Sequence, residues 1–330
     1  MFDTLLNLLF KATSVQPEYT KRHCIAAKQS ATACSVCRDV CPHEAISFKR
    51  NKEVVIDDIE CTGCGICVQS CPSQALVSKV TYQRGAPLKC SQVKGRAETV
   101  QCLGRMTPSD YLRLAGTKDN VTLVRGNCAD CKIGAEAVPT FIEEATSRAQ
   151  ALAELVGRDL GFETLTEERY DATDNPDVIS RRDLLRGGWR GVQNTAADAL
   201  APLDPGGDDG DALPTDMRNQ YRVLELADLS PDTSVSWPVP RVAEGCIMCP
   251  VCTNVCPTKA FRRDFKPEGK DGTALLLEPS RCNGCDACVK ACPVKVISLD
   301  EQLNWFELSS GPQEAYYRDE KEGQVGGVSR

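Results

Sequence analysis

The sequence predicts an α+β protein in which two copies of a small cysteine-bearing unit flank a short α/β segment. Three observations point there. The twenty cysteines fall into three groups, Cys24 to Cys71, Cys90 to Cys131 and Cys246 to Cys292. The outer groups repeat one unit: a cysteine cluster ending in Cys-Pro, a short apolar strand, a turn, a second strand and another cysteine cluster. The middle group lies where strand and helix patterns alternate.

Bulk composition narrows the class. The chain has 330 residues, 42% hydrophobic and 26% charged, with a mean hydropathy of -0.29, the profile of a soluble protein of two or three domains. A formal net charge of -7 argues against nucleic-acid binding, which normally shows a basic footprint, and fits an acidic protein that docks on basic patches of its partners. Twenty cysteines against two histidines, with no visible secretory signal, imply a reducing compartment, the cytoplasm, and thiols used for metal ligation. The apolar start, Met1 to Phe10, is too short to span a bilayer, which takes about 20 residues; it reads as an amphipathic segment packing on the body, with a partner or a membrane surface as the alternative.

The predicted organisation is an N-terminal segment over 1–20, a first cysteine module over 21–84, an α/β domain over 85–160, a linker with helices over 161–240, a second module over 241–300 and a tail over 301–330. In the first module, strands are expected at Ala45–Phe48, Val54–Ile56 and Ala75–Val80; in the second, at Lys259–Phe265, Thr273–Leu277 and Val296–Leu299. Ala201 to Pro214, rich in Gly, Pro and Asp, reads as a linker or disordered loop. Modules this small bury little apolar surface, so their stability depends on metal.

The most regular motif is Cys246-x2-Cys249-x2-Cys252-x3-Cys256-Pro257 followed by Cys282-x2-Cys285-x2-Cys288-x3-Cys292-Pro293. Three thiolates at two-residue spacings let one loop wrap three corners of an iron–sulfur cube, while the fourth thiolate of each run ligates the other cluster. Cys246, Cys249, Cys252 and Cys292 are therefore expected to hold one cluster, and Cys282, Cys285, Cys288 and Cys256 the other. The prolines end the helical turn at the fourth ligand, and Gly284, like Gly63 and Gly65, lets backbone amides approach sulfur. Met248 and Pro250 make one loop more apolar than its counterparts, so its cluster is expected to differ in potential. The pattern resembles the bacterial double-[4Fe–4S] ferredoxins from about Arg241 to Asp300. Zinc sites rarely use triplets ending in Cys-Pro.

The first module keeps one complete run, Cys61-x2-Cys64-x2-Cys67-x3-Cys71-Pro72, but the other departs from the pattern. Cys34-x2-Cys37-x3-Cys41-Pro42 is intact, whereas Ala31 stands where the remaining ligand belongs and Cys24 lies ten residues before Cys34. The expected sets are Cys24, Cys34, Cys37 and Cys71 for one cluster and Cys61, Cys64, Cys67 and Cys41 for the other, since extending a loop is entropically cheap. The alternative is a three-iron cluster with Cys24 spare. His23 and His43 flank the first cluster in sequence and read as surface or supporting groups. No Cys-x2-Cys pair is followed by His, which excludes covalent haem.

In the middle group, Leu88–Cys90, Thr99–Cys102 and Val121–Val124 read as strands. Thr107-Pro108 opens a helix over Ser109–Ala115, and a longer helix is expected from Ala135 to Val156, with Pro139 in its first turn. Each cysteine then follows the C-terminal end of a strand, and in open parallel sheets those ends share one edge. Cys90, Cys102, Cys128 and Cys131 would converge there as a metal site. The run Cys102-Leu-Gly-Arg with Arg125-Gly-Asn-Cys128-Ala-Asp-Cys131 resembles the small iron–sulfur (delta) subunit of methyl-viologen-reducing hydrogenases, also found fused to heterodisulfide-reductase-like proteins. That resemblance implies a [2Fe–2S] cluster; the residues alone leave zinc or a metal-free site open.

Ser180 to Arg186 (SRRDLLR) looks like a twin-arginine export signal, but it lies far from the N-terminus and precedes a polar stretch, so a basic docking helix is the expected reading. No nucleotide loop or Ser-His-Asp set is recognisable. The resemblances imply a polyferredoxin-like electron carrier, or the electron-transfer subunit of an oxidoreductase, with four [4Fe–4S] clusters and a [2Fe–2S] cluster. Its partners would be redox proteins such as a molybdenum oxidoreductase, a hydrogenase or a heterodisulfide-reductase-like enzyme, with no nucleic acid and no transmembrane segment. A maturation ferredoxin, or an enzyme with a site-differentiated cluster, are the alternatives.

Overall fold

A computed structural model describes residues 15–172 and 213–319. The expectations for Met1–Phe10, for Ser180–Arg186 and for most of 201–214 lie outside the described residues. The chain divides into two compact units. One joins residues up to Lys79 with residues from Leu213 onward, and so holds both outer cysteine groups; the other comprises Val80–Glu154 and Arg158–Ala212.

In the first unit the N-terminal module begins with β1 (Glu18–Tyr19) and the one-turn helix α1 (Ile25–Lys28). A second one-turn helix, α2 (Val36–Asp39), leads to the antiparallel hairpin β2 (Ile46–Lys49) and β3 (Glu53–Ile56). Arg50 and Asn51 make its turn, both with positive φ (50° and 58°), the type I′ geometry that matches strand twist. Then α3 (Ile66–Gln69) leads to β4 (Leu76–Val77), which returns to pair antiparallel with β1. The core combines Ala26, Ile46, Val54, Val68 and Leu76 with Cys24, Cys37 and Cys67. Thiols thus occupy positions that aliphatic side chains fill in ordinary cores.

The second unit is a four-stranded, wholly parallel sheet. Its strands are β5 (Leu88–Cys90), β6 (Glu98–Val100), β7 (Asn120–Arg125) and β8 (Gly161–Thr166), in the order β6-β5-β7-β8. Helix α4 (Pro108–Ala115) starts as its sequence dictates: Thr107 Oγ1 accepts from the Asp110 amide at 3.3 Å, and Asp110 Oδ2 accepts from the Thr107 amide at 3.0 Å. Helix α5 (Val138–Leu155) begins three residues later than its pattern suggests, because Pro139 is accommodated only in a first turn. Leu88, Leu103, Met106, Leu114, Leu123 and Ile142 form an interior with almost no exposure. Strand β8 extends the sheet beyond residue 160, into the stretch expected to be linker. Its residues GFETLT are mostly half-exposed or exposed, so they carry little of the apolar signature of a strand.

The C-terminal module lies in the first unit. Helix α6 (Thr215–Leu226) precedes β9 (Ser234–Val242), and the one-turn helix α7 (Val251–Val255) precedes the hairpin β10 (Phe261–Asp264) and β11 (Gly272–Leu277). Helix α8 (Ala287–Ala291) leads to β12 (Ile297–Asn304), which pairs antiparallel with β9. The described part of the expected tail, 301–319, is folded: α9 (Trp305–Ser309) is capped by Asn304, and β13 (Gln313–Asp319) adds a third strand beside β11.

Removal of the Thr107 cap by Thr107→Ala is expected to cost about 1 kcal/mol. The measurement is the midpoint of chemical denaturation of the α/β unit, followed by far-ultraviolet circular dichroism.

Candidate metal centres

Four short helical turns carry the third cysteine of the four outer runs: Cys37 in α2, Cys67 in α3, Cys252 in α7 and Cys288 in α8. The loops leading into them share a backbone device. The residue before the second cysteine is left-handed in three runs: Gly63 (φ 72°), Met248 (54°) and Gly284 (71°). At Gly63 the space is closed as well, since a Cβ there would lie 2.7 Å from Val15 Cβ and 2.8 Å from its carbonyl oxygen. The Cys-Pro turns repeat too. The third residue after each fourth cysteine is left-handed, Glu44 (52°), Gln74 (52°), Lys259 (57°) and Lys295 (55°), and none of them is glycine. That strain turns the next amide back onto sulfur: Ala75 N–H donates to Cys71 Sγ and Ala260 N–H to Cys256 Sγ, both at 3.2 Å.

Cys24 occupies the same backbone setting as Cys282. A single 3₁₀ turn precedes each, Lys21–His23 and Pro279–Arg281, and the φ/ψ angles are -82°/124° at Cys24 and -84°/124° at Cys282. Four residues ahead, the Thr20 amide donates to the Ala75 carbonyl at 2.8 Å, as the Glu278 amide does to Ala260 at 2.9 Å. Asp57, four residues before Cys61, makes the equivalent bond to Ala45 at 2.8 Å. Cys24 thus shares the backbone setting of Cys282, and nine residues, 25–33, separate it from Cys34 where the regular runs have two.

The thiols meet in sets. Burial first, and then the neighbouring Cys71, Cys24 and Cys34, push the Cys37 thiol up to about 12. A pocket of about 350 Å³ is lined by Cys41, Cys61, Cys64 and Cys67. Cys252 is raised to about 11 by burial and by its neighbours Cys246 and Cys249. Cys285 and Cys288 are each raised to about 12, first by burial and with Cys256 contributing, and the same neighbours act on Cys282. Cys292 is buried at the end of α8. His43 lines the pocket around Cys41 and Cys61, not the Cys24 set as its place in the sequence suggests; the Cys-Pro turn carries it there. His23 is buried beside Cys24.

In the α/β unit, Cys90 ends β5, Cys102 follows β6, and Cys128 and Cys131 follow β7; all four line one pocket of about 350 Å³. Ile133 N–H and Gly134 N–H donate to Cys131 Sγ at 3.4 and 3.3 Å. Burial raises the Cys128 thiol, and the Arg125 guanidinium, 4.0 Å from its sulfur, opposes the shift. A Cβ on Gly134 would lie 2.9 Å from Val138 Cγ2 and 3.8 Å from Cys102 Sγ, so glycine keeps this wall thin.

These surroundings fit iron–sulfur clusters. All twenty cysteines are reduced and buried or half-buried, and crowded buried thiols resist ionisation until a cation replaces their protons. The buried Asn283 Nδ2, next to Cys282, has no hydrogen-bond partner among the described residues, and the buried Tyr19 hydroxyl faces Cys24. Sulfide or thiolate would accept from both. Among the described residues no three Cys, His or carboxylate groups converge for a single metal ion; a cluster places its own irons and sulfides between the thiolates.

The 4Fe-4S dicluster domain family matches the chain twice, over residues 32–75 and 245–296; the first match begins after Cys24. The chain is 39% identical over 80 residues to the polyferredoxin-like subunit of aliphatic sulfonate oxidoreductase from Pyrococcus furiosus, covering 24% of this chain and 38% of that one. It is 38% identical over 55 residues to the ferredoxin-type protein NapF of Haemophilus influenzae (17% and 30%). It is 43% identical over 51 residues to the thiosulfate reductase electron transfer subunit PhsB of Salmonella typhi (16% and 23%). The chain thus spans well under half the length of these relatives. No solved structure gives a significant match. The chain thus carries two 4Fe-4S dicluster domains, an arrangement that resembles the two-module polyferredoxins.

Gly63→Ala is expected to disrupt the loop of Cys61, Cys64 and Cys67, because φ and the Val15 contact both exclude a side chain. A strain of about 1–3 kcal/mol follows, read as lowered iron content after anaerobic purification.

Proposed function

We propose that the chain is the electron-relay subunit of an oxidoreductase complex, holding four [4Fe–4S] clusters and one [2Fe–2S] cluster. The ligand sets are Cys24, Cys34, Cys37 and Cys71; Cys41, Cys61, Cys64 and Cys67; Cys246, Cys249, Cys252 and Cys292; and Cys256, Cys282, Cys285 and Cys288. Cys90, Cys102, Cys128 and Cys131 hold the two-iron cluster. The observation that carries this reading is the matched backbone setting of Cys24 and Cys282, which supports a fourth cube despite Ala31. Clusters in these sites supply one-electron exchange at potentials tuned by burial and by hydrogen bonds to sulfur.

The chain's own residues hold thiolates, exclude water and aim amides at sulfur. Several relatives are named as electron-transfer or polyferredoxin-like subunits, which supports a carrier acting beside a larger redox enzyme of the molybdenum, hydrogenase or heterodisulfide-reductase-like kind, in the cytoplasm. Among the described residues no helix is long and apolar enough to cross a membrane.

Iron and sulfide analysis of anaerobically purified protein is expected to give about 18 irons per chain; about 16 would remove the middle cluster. Cys24→Ser should lower that count and produce a three-iron signal in electron paramagnetic resonance, whereas a spare Cys24 would leave both unchanged. Pro250 adds a separate expectation. It stands where Gly65 and Asp286 are left-handed in the other loops, and it has no amide to offer sulfur. Hydrogen bonds to sulfur favour the reduced, more negative cluster, so Pro250→Gly should raise the potential of the Cys246 set in a potentiometric titration.

A further inference from the structure

The insertion between Cys24 and Cys34 is the one place where a cysteine run of this chain departs from the regular spacing, and it is ordered. It forms α1, and α1 packs on α7 of the C-terminal module. Ile25, only 4% exposed, forms a buried group with Cys285 and Ala287, and Cys34 and Val255 pack against that group. Cys34 and Cys285 belong to different modules and, in the reading above, to different clusters. Lys290 of α8 lies close enough for its charge to act on the Cys34 thiol.

We propose that residues 25–33 are an intramolecular docking element, with Ile25 as the positioning residue that seats Cys34 of the N-terminal module against Cys285 of the C-terminal module. The assignment of clusters to the two sides rests on the four-cube reading; the docking itself does not. A regular run would leave two residues between its first two cysteines. That is too few to present a helical turn, so lengthening the loop gives the module a face that a plain ferredoxin unit lacks. An electron passing between modules crosses at this junction: one side loses it, the other gains it, and no bond is made or broken.

A second connection keeps the test interpretable. Helix α6 reaches both modules: Met217 N–H donates to Gln74 Oε1 at 3.2 Å, and the Tyr221 ring sits 6.0 Å from Trp237 and 6.1 Å from Trp305. The modules therefore remain tethered when the Ile25 contact is lost. Ile25→Asp buries a carboxylate against Cys285 and Ala287 while leaving every cysteine of the proposed ligand sets in place. In the iron-loaded full chain, hydrogen–deuterium exchange of the α8 amides, Ala287–Ala291, is expected to rise at least about tenfold. Ile25→Val should restore protection, and iron content should match the wild type in both variants. Ala287→Gln, read at the α1 amides, probes the same contact from the other side should Ile25→Asp fail to accumulate. Faster exchange confined to the module that carries the substitution overturns the proposal. A wild-type iron count below 16 would instead overturn the four-cube reading and leave the exchange result standing.

Discussion

Burying thiols that cannot ionise unaided governs this molecule. Each outer module places cysteines where a larger protein would place leucine, and the N-terminal core is completed by Cys24, Cys37 and Cys67. Cys37, Cys252, Cys285 and Cys288 are all pushed up to between about 11 and about 12, first by burial and then by neighbouring cysteines. Iron relieves that cost by bringing positive charge among the sulfurs, so metal binding and folding free energy become one quantity. The left-handed residues after each Cys-Pro are strained for the same end, since they aim an amide at a sulfur that carries charge once loaded.

The α/β unit solves the same problem by another route. Its core of Leu88, Leu103, Leu114 and Leu123 is conventional and dense, and its cysteines stand at the edge of a finished sheet. The outer modules need their clusters to have an interior at all, whereas this unit has an interior already and offers a pocket on it. Its thiols are correspondingly accessible to a countercharge from the protein, as Arg125 shows at Cys128.

Much of this was legible in the residues. Cys-x2-Cys-x2-Cys-x3-Cys-Pro is a geometric statement, and the hairpins Ile46–Ile56 and Phe261–Leu277 fall within two residues of their apolar patterns. Cysteine at successive strand ends, with Thr107-Pro108 opening a helix, marked a parallel sheet. What escaped was polar or discontinuous. Strands β8 and β13 (GFETLT and QEAYYRD) bury no complete face, so alternation is faint. The equivalence of Cys24 with Cys282 resides in backbone angles that share no residue pattern. The pairing of α1 with α7 joins residues more than two hundred positions apart, and no local rule reaches that far.

The unit containing both cysteine modules is interrupted by Val80–Glu154 and Arg158–Ala212. Its first half leaves the ribosome long before its second, so Ile25 has no counterpart to cover it during most of synthesis. Local contacts form early and distant ones late, because closing a long loop must precede its reward. The N-terminal module and the α/β unit are thus assembled, and open to cluster insertion, while the docking face still points to water. The contact between the two modules can close only once the C-terminal module has been synthesised.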